Sequence, residues 1–309
     1  MLVDRVDVEH RVSPLVSEDV ARRRIAAVAE RAYDARRRAA RAAAIAAELE
    51  AHCDRAPTAW RAGLTRLIRL HRSFEIRHLE TARLHELYVS RLDNWSRWHG
   101  TATALPTFIA AVASAIGPKS AAVTLGAHGG AESLVAASDQ TAQMAGDSEF
   151  VLGEGPAHDV AAWRVPVRAE GGALIDRWPR FGSAVAEHGV GSVIGQPLGH
   201  GSGSGWLGTL CVYELADTLP KGVAATSARV ADALTYIVLN EAGTGSQASA
   251  AAMLDDDQLA TLHQAAGVVS VQLSCRTEDA VALLRARAFT DGVPVEAVAR
   301  RVITGDLQI

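Results

Sequence analysis

The strongest constraint on the fold is a seam of small apolar residues in the N-terminal third of the chain. The seam residues recur at spacings of four and three, the period of one face of a long helix. They are Ala21, Ile25, Val28, Ala32, Ala35, Ala39, Ala42, Ala46 and Leu49. Because alanine buries little surface, this seam predicts close packing against a second helix. Ser17, with two acidic residues after it, is the predicted start of the helix, and Pro57 breaks it.

A second long helix over 58–98 completes the predicted hairpin or coiled coil. Residues 1–100 contain 19 arginines and 14 acidic residues, an excess that indicates a solvated face rather than a nucleic-acid surface. His71, His78 and His85 are seven residues apart, so a parallel dimer would stack them in a stripe able to bind a metal or sense pH. Because no carboxylate or cysteine joins them at ligand spacing, amphipathic packing is the favoured interpretation. No metal site is predicted.

Composition excludes several classes of protein. The 309 residues are 49% hydrophobic and 21% charged, which indicates several globular domains. Residues 255–309 include 5 basic and 8 acidic residues, so the charge of this segment alone does not predict nucleic-acid binding. Three distant cysteines predict neither a disulfide framework nor a zinc site. The N-terminus has no signal-peptide pattern and no apolar run reaches membrane-spanning length, so we expect a cytoplasmic protein without a membrane partner.

Residues 101–245 predict an α+β domain with antiparallel strand pairing. Strand-like runs at 121–126 and 131–138 flank "AHGG", and those at 191–198 and 208–214 flank "GHGSGSGW". Helical patterns cover "LPTFIAAVASAIG", "GPAHDVAAW", "WPRFGSAVAEHG" and residues 220–243. The "GSGWLG" stretch spells GxGxxG, but a strand follows where a nucleotide-binding fold needs a helix, so we reject a phosphate loop.

Four motifs in this region, "GEGPAHDV", "IDRWPRF", "GVGSVIGQPLG" and "GTLCVYE", resemble in that order the landmarks of GAF sensory domains. The resemblance implies a five- or six-stranded antiparallel sheet with a cavity for a small, unidentified ligand. Many relatives have cysteine after "GEGP", whereas this chain has Ala157, so no covalent cofactor or redox sensing is expected there. Candidates to line the cavity, with plain surface or core positions as the alternative, are His158, Trp163, Trp178 and His188. No cofactor is predicted.

Residues 246–254 have the composition of a linker, and 255–309 predict a three-helix bundle. The first helix follows three aspartates and has its apolar seam at Leu259, Leu262, Ala266, Val269 and Leu273. The second starts near Thr277 as N-cap, ends at the "DG" of 291–292, and has its apolar face at Ala280, Val281, Leu284 and Ala288. The third starts at Pro294, ends at Gly305, and has its apolar face at Val295, Val298, Ala299 and Val302. Each is too short to be stable alone.

The first helix of this bundle has a second face that is small and uncharged. It carries Ala260, Gln264, Gly267, Val268 and Val271. An exposed helix face normally holds charged residues. We therefore expect a partner to cover this face, with Gly267 allowing close approach to the backbone. The partner is either another helix, from this chain or a dimer mate, or a nucleic acid.

The segments "LHQAAGVVSVQL", "EDAVALLRARAF" and "PVEAVARRVITG" strongly resemble the ANTAR family, the RNA-binding module of transcription antiterminators. The resemblance implies binding of a paired stem-loop RNA that disfavours the terminator hairpin. The family signature falls on Gln264, Ala265, Gly267, Ala280, Leu284, Arg285, Ala288 and Ala299. Many members have lysine where this chain has Ala266, so a phosphate contact is expected to be missing. The predicted RNA-binding residues are Gln264, Ala265, Gly267, Val271, Arg285, Arg287, Arg300 and Arg301.

Together these patterns predict a multidomain regulator that is not an enzyme. Its predicted parts are a helical segment (1–100), a GAF-like domain (101–245), a linker (246–254) and an ANTAR domain (255–309). A small-molecule signal would rearrange the helix over 220–243 in a homodimer and so present or hide the RNA-binding helices. Two alternatives stay open: a DNA-binding three-helix regulator, and a ligand-regulated scaffold without RNA binding. Ala266 and the acidic balance favour the scaffold.

Overall fold

A computed structural model of the protein describes residues 14–98, 106–117, 119–126, 134–199, 205–240, 256–293 and 295–309. It is mostly helical, with one five-stranded sheet in these ranges. The helices are α1 (Pro14–Cys53), α2 (Thr58–Trp98), α3 (Phe108–Ile116), α4 (Gln140–Leu152), α5 (Pro156–Trp163), α6 (Gly172–Arg177), α7 (Pro179–Glu187), α8 (Val223–Asn240), α9 (Asp256–Leu273), α10 (Thr277–Asp291) and α11 (Val295–Ile303). The strands are β1 (Ser120–Leu125), β2 (Leu134–Ala137), β3 (Val167–Glu170), β4 (Ser192–Gly199) and β5 (Trp206–Glu214). None of the described helices is both long and apolar enough to cross a membrane.

The predicted N-terminal hairpin is confirmed. Every alanine of the seam is buried where α1 packs on α2. Between the two helices, Arg72 donates two hydrogen bonds to the Glu50 carboxylate, from Nε at 3.0 Å and from Nη2 at 2.8 Å. The predicted start is wrong, since α1 begins at Pro14 and Ser17 lies inside the helix. Proline is well suited to an N-terminal turn because its missing N–H has no helical partner there.

The histidines of α2 occupy separate environments in the chain, as the favoured packing interpretation expects. The His78 ring and the Tyr236 ring on α8 are nearly perpendicular, with centroids 4.8 Å apart. His85 is 2% exposed, and its Nδ1 lies 2.8 Å from the carbonyl oxygen of Thr81. His71 contacts Phe74 within its own helix. No cluster of His, Cys, Asp or Glu suited to a metal ion occurs among the described residues.

The sheet has the order β2-β1-β5-β4-β3, and all neighbouring strands are antiparallel. Both predicted hairpins, β1–β2 and β4–β5, are confirmed. Helices cover both faces: Ile194 and Val212 point toward the side of α3 and α8, while Val193 and Cys211 belong to the core on the side of α4–α7. Because alternate residues face opposite sides, a strand covered on both faces has an almost continuous apolar sequence.

The three C-terminal helices, α9–α11, pack against one another and are called the C-terminal bundle below. Their shared core contains Ala265, Ala266, Val269, Ala280, Leu284, Ala288, Val295, Val298, Ala299 and Val302. Two details differ from prediction. Thr277 is the first residue of α10 and Arg276 is its cap, and Leu273 is 45% exposed instead of lying in the seam. Gly243, which ends the helical pattern over 220–243, lies outside the described residues, as do the linker and Pro294.

Candidate nucleic-acid interface

The small, uncharged face of α9 is open at three of its residues in the described part of the chain, whereas Val268 is half-buried against the bundle core. Gln264, Gly267 and Val271 are exposed, and Val271 is 80% exposed. A Cβ atom built on Gly267 would meet no neighbouring atom within 4 Å. The expected cover is therefore not supplied by another described element of this chain. The backbone at Gly267 is accessible to a partner.

The alanines beside this glycine face the other way. Ala265 and Ala266 are both fully buried in the bundle core. Ala265 therefore positions the open face of α9 and does not form part of it. The phosphate contact expected to be missing at position 266 has a further reason to be absent, because a side chain there starts inside the core. Alanine at 266 serves packing.

Three of the predicted cations lie on the bundle surface. Arg287 Nε and Arg301 Nη1 form ion pairs with the same oxygen, Asp291 Oδ2, at 2.9 and 4.0 Å. Arg300 pairs with Glu296 one turn before it. Exposed ion pairs of this kind contribute only about 0–1 kcal/mol. These guanidinium groups can therefore exchange a carboxylate for a phosphate at little cost.

Arg285 lies elsewhere. Its residue is only 6% exposed, and its guanidinium carbon lies 4.5 Å from the centroid of the Phe150 ring on α4. In the described part of the chain its Nε has no hydrogen-bond partner. Burial lowers the pKa of Arg285, and the nearby Asp147 carboxylate opposes that shift. The structure therefore separates Arg285 from the surface pair Arg287 and Arg301.

Among the described residues, the four proposed to line a ligand cavity lie in different environments. Trp178 is buried, packs edge-to-face on Phe181 at 5.9 Å, and leaves its Nε1 without a partner among the described residues. His158 and His188 are exposed, and Trp163 is 69% exposed. His188 lines a cavity of about 320 Å³ between α4, the end of α7 and the end of α10, and the other three residues are not in its lining.

Sequence reasoning missed a buried carboxyl group in the part of the chain from α3 to α8, residues 108–240, which is called the sheet region below. Glu149 of α4 lies against the start of α5, where its Oε1 accepts a hydrogen bond from the His158 backbone N–H at 2.9 Å. Burial raises the pKa of Glu149 to about 8, and the backbone hydrogen bonds only partly oppose this. Gly155 has φ +149°, and a Cβ there would lie 2.7 Å from the Glu149 carboxyl carbon. The glycines of "GEGP" were the available signal, because only glycine leaves this space.

The buried thiol of Cys211 lies in the same core as Tyr213. Burial raises the pKa of Cys211 well above its ordinary value, and the charge of Glu149 raises it further. A thiol needs to ionise to act as a nucleophile or metal ligand. Cys211 therefore serves packing.

Comparison of the chain with protein-family models, curated proteins and solved structures finds no match. The GAF and ANTAR resemblances therefore rest on the short motifs quoted above.

Proposed function

We propose that this chain is a signal-responsive regulator that binds stem-loop RNA in nascent transcripts through the C-terminal bundle and so favours antitermination. The observation that carries the proposal is the open face of α9. A helix with Val271 80% exposed and an accessible glycine backbone leaves apolar surface in water. Paired RNA is read mainly by shape, so a small, uncharged helix face with an accessible backbone can lie close against a stem-loop.

The arginines supply the electrostatic part of the proposal. Arg287, Arg300 and Arg301 are exposed and held only by surface ion pairs. Each phosphate contact releases counterions, so affinity falls as salt rises. The net acidic balance of 255–309 limits this contribution, and base contacts on the α9 face must supply the rest.

The sheet region fits the sensory half of the proposal. A five-stranded antiparallel sheet with helices on both faces supports a GAF-like sensor. Helix α8, which follows β5, contacts α2 through an ion pair between Asp232 and Arg77, with Oδ2 and Nε 2.7 Å apart. This contact gives the sensor a physical connection to the N-terminal hairpin, where a dimer mate would bind in a cytoplasmic homodimer.

The test is a fluorescence-anisotropy titration of the full chain with tandem stem-loop RNA at low and moderate salt. A scrambled RNA of equal length and duplex DNA are the competitors. We expect the stem-loop RNA to bind most tightly. Equal binding of the scrambled RNA overturns the proposal, and preference for the duplex favours the DNA-binding alternative.

A variant links the titration to the bundle surface. Arg300→Ala should weaken binding and lower the salt slope by about 1 if it contacts one phosphate. Arg229→Ala, which removes an exposed arginine from α8, is the matched control and should change neither. Equal effects of the two variants would point to non-specific charge attraction.

A further inference from the structure

Helix α4 contacts both the sheet region and the C-terminal bundle. On its inner side, Glu149 accepts the backbone N–H at the start of α5. On its outer side, Phe150 lies beneath the guanidinium of Arg285 on α10. Asp147 faces the same junction, since it lines the cavity there and its charge acts on Arg285. One helix therefore connects the sheet core with a cation of the predicted RNA-binding set.

The contact at Arg285 is poorly compensated. A buried guanidinium is costly unless it is paired and hydrogen-bonded. Here Nε has no partner, and no carboxylate oxygen lies within 4.0 Å in the described part of the chain. Asp147 instead accepts a hydrogen bond from Gln143 of its own helix at 3.1 Å. Stacking on Phe150 is therefore the main described contact that holds the charged group in place.

The junction also has free volume. The cavity of about 320 Å³ separates α4 and α7 from the end of α10 on one side of this contact. Its walls include Met144 and Ala184 from the sheet region and Phe289 and Val293 from the bundle. An incompletely packed interface that holds a buried cation without a described ion-pair partner loses less on separation than a fully packed one.

We propose that α4 holds the C-terminal bundle in a docked state that withholds Arg285 from RNA, and that a shift of α4 releases it. This inference rests on the proposed RNA-binding function. In the docked state the bundle binds RNA with only part of its cations. The apparent affinity for RNA contacts that need Arg285 is that of the undocked state multiplied by the fraction of molecules that are undocked. A signal that moves Glu149 and the start of α5 would move Phe150 on the same helix.

The test uses the full chain with Phe150→Ala, and with Ile175→Ala as a control that truncates another apolar residue of similar exposure in the sheet region. Phenylglyoxal labelling followed by mass spectrometry reports the accessibility of Arg285, with exposed Arg287 as the internal reference. The tandem stem-loop titration reports RNA affinity. Loss of one stacking contact of this class corresponds to about fivefold in the undocking equilibrium.

We expect Arg285 to be protected in the wild type and about fivefold more reactive in Phe150→Ala, with RNA bound up to about fivefold more tightly. Ile175→Ala should match the wild type. Equal labelling of Arg285 and Arg287 in the wild type overturns the docked state. In another outcome, the wild type binds RNA, and Phe150→Ala exposes Arg285 without binding RNA more tightly. In that case docking does not withhold Arg285 from RNA, and the proposed function stands. If no variant binds RNA, both fall, and the labelling still reports whether docking occurs.

Discussion

Replacing Gly267 with alanine should stabilise α9 and weaken RNA binding. Gly267 lies in the interior of α9, is not among the glycines with positive φ, and would place a Cβ in open space. Alanine there relieves the conformational cost of glycine, about 1 kcal/mol, without strain or a clash. The added methyl group projects onto the face that RNA is proposed to approach. Stability and affinity should therefore change in opposite directions.

Hydrogen exchange of the α9 amides measures the change in helix stability, and a gain of about 1 kcal/mol corresponds to about fivefold slower exchange through local opening. The stem-loop titration measures the second. Gly63→Ala is the matched control, because Gly63 is an exposed glycine in the interior of α2 and also has no atom within 4 Å of a built Cβ. It should slow exchange in α2 and leave RNA affinity unchanged. Faster exchange in α9 would show that Gly267 is packed in the free protein, and an unchanged affinity would remove the α9 face from the interface.

Three further results are expected. The pKa of Glu149 is raised from 4.5 to about 8 in the folded protein, so the folded state binds more protons between these pH values than the unfolded state does. The free energy of unfolding should therefore fall as the pH rises through this window, by at most about 1.4 kcal/mol per pH unit. Urea unfolding at several pH values should give Glu149→Gln a flatter dependence of stability on pH. Ala266→Lys should unfold the C-terminal bundle rather than strengthen RNA binding, seen as lost exchange protection in α9–α11, because position 266 is fully buried. With a thiol reagent at neutral pH, Cys53 and Cys275 should react first and Cys211 only on unfolding, whereas rapid labelling of all three would contradict the packing role of Cys211.

Periodic patterns predicted most of the long elements. The alanine seam identified α1 and its partner because a heptad spacing over 26 residues from Ala21 to Ala46 fits only one face of a helix. The apolar runs of β4 and β5 were recognisable because helices cover both sides of these strands. The short edge strand β3 was missed, since four residues carry too little alternation to be distinguished from a loop.

The buried charges were beyond sequence reasoning. Glu149 and Arg285 are residue types that normally lie at the surface, and their sequence neighbours give no sign of burial. Their positions depend on α4, which has only a weak apolar stripe and was not predicted as an element. Tertiary packing of α4 between the sheet and α10 decides both environments. Arg285 was therefore assigned to a surface that the structure places it away from.

Photo-crosslinking of bound tandem stem-loop RNA to the full chain, with the crosslinked peptides identified by mass spectrometry, tests the central proposal most directly. We expect crosslinks in the α9 peptide that contains Gly267 and Val271, and in the α11 peptide that contains Arg300 and Arg301. Crosslinks confined to the arginine-rich α1–α2 hairpin, or spread evenly along the chain, would contradict RNA binding by the C-terminal bundle.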